Sequence, residues 1–256
     1  MKGKKIMKDM IRNNWKYILF LLIFGLIGGY FTTVYSIQSI SQDLLDQALA
    51  EAGSVDLIII VGTIQSVLYA VVLGIIGKIF AEKLGLWRKF TFNKKANFEL
   101  ILAIVIGGSA FILLDYFAFA PYSDAIRTSY LSKPTVEYFI ASVTYGAVIE
   151  EVMLRLFLMS LVAIVLKKLL KKEYVNDNIL MIANIVAAII FAAGHLPATF
   201  MTISPVTPMI IFRCFLLNGG FGLIFGRLYR KYGIHYAMLA HGGFHIVSKL
   251  IWILFI

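Results

Sequence analysis

Glu150 and Glu151 stand side by side in the segment Tyr145-Gly-Ala-Val-Ile-Glu-Glu-Val-Met-Leu-Arg-Leu-Phe157, and Arg155 follows four residues after Glu151. Two more clusters of chemically competent residues follow: Phe191-Ala-Ala-Gly-His195, then His241-Gly-Gly-Phe-His245. Carboxylates and imidazoles are the groups that move protons, activate water and bind zinc. On a helix, Glu151 and Arg155 at i and i+4 share a face and can pair. Glu150, turned about 100° away, is free to present its carboxylate to a cavity. His241 and His245 likewise share one face, and Ala192, Ala193 and Gly194 leave room beside His195.

All three clusters lie in apolar runs. The first is inside 136–166, which ends at Lys167, Lys168, Lys171 and Lys172 and is long enough to cross a bilayer. An ionised group at the centre of such a helix costs about 2.5–3.5 kcal/mol in hydrocarbon. Glu150, Glu151 and Arg155 must therefore face protein or water.

The whole chain has this character. Of 256 residues, 60% are hydrophobic and 15% charged, against about 25% charged in soluble domains. The expected fold is an all-α polytopic membrane bundle with spans near 17–35, 57–80, 99–120, 136–166, 179–195, 209–229 and 234–256. That is seven, or eight if 36–56 hides a re-entrant segment. No period-2 strand pattern is present, and lipid forces backbone groups to pair within helices. The first run is longer than a signal peptide core and has no Ala-x-Ala site, so it reads as an uncleaved helix. One cysteine, Cys214, excludes an intramolecular disulfide framework.

The net charge of +10 is partitioned by loop. Lys2, Lys4, Lys5, Lys8, Arg12 and Lys16 precede the first span, and Lys83, Arg88, Lys89, Lys94 and Lys95 follow the second. Arg227, Arg230 and Lys231 close the sixth, whereas the alternate loops hold only Arg127 and Lys133. This asymmetry predicts a cytoplasmic amino terminus in a cell membrane. Anionic lipid headgroups account for the basic surface without nucleic acid.

Each polar residue also has a plain structural reading: a Glu–Arg ion pair, an interhelical histidine hydrogen bond, a helix contact at Asn184, an interface residue at His235. Two carboxylates, an arginine and three histidines in the C-terminal spans nevertheless look like one site.

Their order and spacing resemble the three motifs of the CPBP family, the CAAX-processing and bacteriocin-processing (Abi) intramembrane proteases that include type II prenyl endopeptidases. The resemblance covers about 145–246 and divides the chain into 1–135, membrane helices without a motif, and 136–256, a catalytic core. It implies an endopeptidase in which Glu150 activates a water, His195 holds it, and His241 with His245 stabilises the oxyanion. Glu151, Arg155 and Phe191 support these groups. The family's third motif usually ends in Asn or Asp, where this chain has His245. An imidazole can donate to an oxyanion as the amide does, and it can also ligate a metal.

No cofactor is favoured. The alternative is a zinc hydrolase with Glu150, His195 and His241 as ligands, although no His-Glu-x-x-His helix is present. The implied partners are a peptide or membrane-protein substrate, lipid-modified or not, and membrane lipids. A different class remains open: a non-catalytic scaffold or bacteriocin-immunity protein using the same cavity. A proton-coupled transporter would want paired discontinuous helices that the chain does not display.

Depth poses a problem. Counted at about 1.5 Å per residue, Glu150 and His195 stand about 24 Å from the inner ends of their spans, and His241 only about 10 Å. Either the last helix starts deeper, after a break near 232–235, or the inner boundaries lie elsewhere.

Overall fold

The structure, a computed structural model, describes residues 2–256, and for 2–11 and 13 the backbone only. The lysines of the basic lead at 2, 4, 5 and 8 thus have side chains outside the described residues.

Nine helices and no strand occur among the described residues. They are α1 (Lys2–Ser39), α2 (Gln42–Ala52), α3 (Val55–Lys83), α4 (Lys94–Tyr122), α5 (Asp124–Ser129), α6 (136–169), α7 (Asp177–Thr202), α8 (Pro208–Tyr232) and α9 (Ile234–Phe255). Local chemistry sets the starts. Ser54, Asn93, Thr135, Asn176 and Thr207 each cap a helix by accepting a hydrogen bond from a first-turn backbone N–H. Such caps satisfy donors that have no intrahelical partner.

Six of these helices are long and apolar enough to cross a membrane: α1 over Asn14–Ser39, α3, α4, α7, α8 and α9. The seventh long helix, α6, is continuous, but Glu150, Glu151 and Arg155 at its middle keep it from being uniformly apolar. Large apolar side chains such as Ile60, Ile64, Ile106 and Ile189 are exposed on the flanks of the bundle, as an integral membrane protein requires. The segment 36–56 holds no further span. It continues α1 and then forms the short α2, which has no buried residue. The loop after His195 is shorter than expected, because the chain turns at His195 and resumes helix to Thr202.

Helix α6 is the axis of the bundle and packs against α1, α3, α7, α8 and α9. Glycines permit the approach. A Cβ at Gly28 of α1 would come within 2.9 Å of the Tyr145 backbone nitrogen, and one at Gly77 of α3 within 2.9 Å of the Leu156 carbonyl carbon. Over 142–150 and 152–159, α6 is wound as a π-helix. Its wider turns climb less per residue and are enriched at functional sites.

The last helix does begin after a break within 232–235. Gly233, at φ +98°, breaks the chain between α8 and α9 in a conformation closed to other residues. Helix α9 then starts inside the protein, with Ile234, Tyr236 and Ala237 buried. The loop 84–93 lies across this start: the Tyr236 hydroxyl sits 3.0 Å from the Thr91 carbonyl and 2.9 Å from Asn97 Oδ1. Trp87 and Phe90 pack their rings against His235. Glu99 ties α4 to the end of α8 through Lys231 and the Tyr232 hydroxyl, at 3.3 and 2.9 Å.

Gly77→Ala puts a methyl against backbone that cannot yield. The expected loss is about 1–3 kcal/mol, read as a lower Tm in detergent.

Candidate active site

The π-wound turns of α6 send neighbouring carboxylates into different surroundings. Glu151 is fully buried against α8 and α9. Its Oε1 lies 3.2 Å from Arg155 Nη1 and 2.9 Å from His241 Nδ1. Arg155, itself 1% exposed, donates from Nη2 to the Gly222 carbonyl at 3.1 Å and lays its guanidinium 4.6 Å from the Phe191 ring centre. Glu151 Oε2 makes no hydrogen bond to the protein. The pair is neutral as a unit, which is the condition under which charge survives at this depth.

Glu150 points the other way, with its side chain 18% exposed. Oε1 faces His195 Nε2 at 3.9 Å, and Oε2 faces His241 Nε2 at 4.0 Å. Both gaps exceed a direct hydrogen bond. They are within what one water can bridge.

The acceptors around the rings order their hydrogens. An ionised carboxylate and a carbonyl oxygen only accept. His241 Nδ1, against Glu151, therefore carries its hydrogen, and so does His195 Nδ1, 2.9 Å from the Phe191 carbonyl. With that hydrogen on Nδ1, the neutral form of each ring turns a bare Nε2 toward Glu150. His245 Nε2, 3.1 Å from His241 Nε2, must be the donor of that pair. Its Nδ1 in turn accepts from Lys249 Nζ at 3.5 Å. Gly146 lets the backbone of α6 lie against both rings, since a Cβ there would meet His245 Nε2 at 3.5 Å and His241 Nε2 at 3.7 Å.

The tertiary structure thus brings together all seven residues singled out from sequence: Glu150, Glu151, Arg155, Phe191, His195, His241 and His245. It adds three more. Lys249, buried and set over the Tyr138 ring at 4.0 Å, is one turn beyond His245 on the same face, a spacing visible in the sequence. Phe225 stacks on His241 at 4.5 Å, and Gly222 leaves space for Arg155. Neither has a sequence signal. Asn184 is a helix contact, donating to the Leu223 carbonyl at 2.9 Å.

Arg213 belongs elsewhere. It grips Asp115 at 2.5 and 2.6 Å, and Tyr130 bonds the same carboxylate at 2.8 Å. Burial and that carboxylate push the Tyr130 phenol, in the loop before α6, above its ordinary value.

Carboxylate and imidazole are ligand types that zinc accepts. As they stand, no group of three or more His, Cys, Asp or Glu among the described residues is disposed to hold a metal ion.

Residues 131–247 match the family model described as type II CAAX prenyl endopeptidase, Rce1-like. No curated protein and no solved structure matches the chain. Residues 131–247 are thus similar to an Rce1-like domain, and that family is one of proteases, hydrolases acting on a peptide or protein. The matched stretch contains all seven expected site residues and stops short of Lys249.

Arg155→Met strands the Glu151 charge in the core. We expect a loss of about 3–5 kcal/mol, measured as thermal unfolding in detergent, and partial recovery when Glu151→Gln is added.

Proposed function

We propose that this protein is an intramembrane endopeptidase in which Glu150 activates the attacking water without a metal. The observation that carries the reading is the convergence of Glu150 with the bare Nε2 atoms of His195 and His241, at 3.9 and 4.0 Å. A water held between Glu150 and His195 gives a proton to the carboxylate as its oxygen attacks the scissile carbonyl. The proton then passes to the leaving nitrogen. The oxyanion accepts a hydrogen bond from His245 Nε2–H, which gives up its bond to His241 Nε2, an imidazole doing the work of an amide donor.

In this reading the chemistry resides in 136–256, while 1–135 shields it and receives substrate. The family description supports a substrate that ends in a prenylated Cys-a-a-X sequence. The lysine and arginine asymmetry supports a cell membrane location with the amino terminus in the cytoplasm. An alkaline phosphatase fusion within 36–56 should be active and one within 84–93 inactive. The reverse pattern would overturn that orientation.

The mechanism is tested on purified protein with a quenched fluorogenic peptide ending in farnesyl-Cys-a-a-X. Glu150→Gln should lower kcat at least about 10³-fold with an unchanged Tm, and a zinc chelator should leave the wild-type rate intact. His245→Asn should keep cleavage within about tenfold. Loss of activity to chelator, restored by zinc, would replace the glutamate mechanism with a metal one. A Glu150→Gln protein that behaves as wild type would favour a non-catalytic scaffold.

A further inference from the structure

Where α1 and α3 cross beside α6, they leave a cavity of about 180 Å³. Its wall is neutral and hydrogen-bonding: Thr32 and Thr33 from α1, Gln65, Ser66 and Tyr69 from α3, and Tyr145 from α6. Ser66 is 2% exposed, and its Oγ has no hydrogen-bond partner. Gln65 is exposed among Ile60, Val61, Ile64 and Leu68, on the face that lipid covers. The hydrogen bond its side chain makes goes from Nε2 to the Tyr69 hydroxyl, at 2.6 Å.

A carboxamide on a lipid-facing surface and an orphaned hydroxyl behind it are both costly unless something polar meets them. The cavity wall holds no charged side chain, which disfavours an ion or a phosphate headgroup. What it suits is a ligand rich in neutral donors and acceptors. A membrane peptide opened from its helix has this chemistry, because its freed N–H and C=O groups find no water in hydrocarbon. The cavity also borders the site. In the π-wound stretch of α6, where hydrogen bonds run from i to i+5, Tyr145 stands one turn before Glu150.

We infer that this cavity is a lateral subsite for the substrate. It pairs the backbone amides of a segment unwound for cleavage, with Gln65 at the lipid-facing mouth, Ser66 inside, and Tyr145 leading toward Glu150. The inference rests on the peptidase reading and adds to it the route and the chemistry of substrate capture.

The test uses the full chain in liposomes with the farnesylated fluorogenic peptide. Gln65→Leu and Ser66→Ala should each raise KM about 3–10-fold, the loss of one hydrogen bond, with kcat within about twofold and Tm unchanged. Gln65→Asn should recover part of the loss. In a Glu150→Gln background, which retains substrate, Gln65→benzoylphenylalanine should photo-crosslink to a biotinylated form of the peptide, and excess unlabelled peptide should compete. Unaltered KM in a cleaving protein would overturn the subsite and leave the peptidase reading standing. If the wild type cleaves nothing, the peptidase reading fails and the crosslink decides the subsite: a competed peptide adduct upholds it, and adducts only to lipid or to a second copy of the chain overturn it.

Discussion

The bundle is arranged around one constraint: the Glu151 carboxylate has no exposure to solvent and must still be neutralised. Arg155 supplies the opposite charge from one turn along the same helix, and His241 supplies a hydrogen from α9. Charge in low dielectric is strongly stabilised by such partners and strongly penalised without them. Much else follows from housing this triad. Gly222 gives Arg155 both space and a carbonyl, and Phe191 and Phe225 cover the guanidinium. Phe225 then doubles as the plate against which His241 stacks.

The same contact organises the hydrogens of the site. Because Glu151 can only accept, it commits His241 Nδ1 as a donor, which in turn decides what His241 Nε2 offers and what His245 must supply. Lys249 completes the sequence at its far end. Proton placement around these rings thus follows from a buried structural pair rather than from Glu150. Glu150 stays partly accessible because a single residue step turns it out of the core. Adjacent glutamates acquire different surroundings through helix geometry alone.

Close helix approach is the second requirement. Gly28 and Gly77 bring α1 and α3 onto the backbone of α6, and Gly233 lets α9 begin inside the protein, over the loop 84–93. The crossing of α1 and α3 also leaves an uncharged polar hollow beside the central helix, an unusual lining for a surface that meets lipid.

Much of this is legible in the chain. Apolar runs, capping residues at 54, 93, 135, 176 and 207, and helical spacing indicate the spans and show which side chains share a face: Glu151 with Arg155, Phe191 with His195, His241 with His245 and Lys249. These are properties of one helix at a time, carried by a period of 3.6 residues. Only the tertiary structure decided that His241 bonds Glu151, that Lys249 turns to His245, and that Gly222 and Phe225 belong to the site. The rotation and depth of one helix against another come from the sum of many side-chain contacts and glycine approaches. No local spacing records that sum.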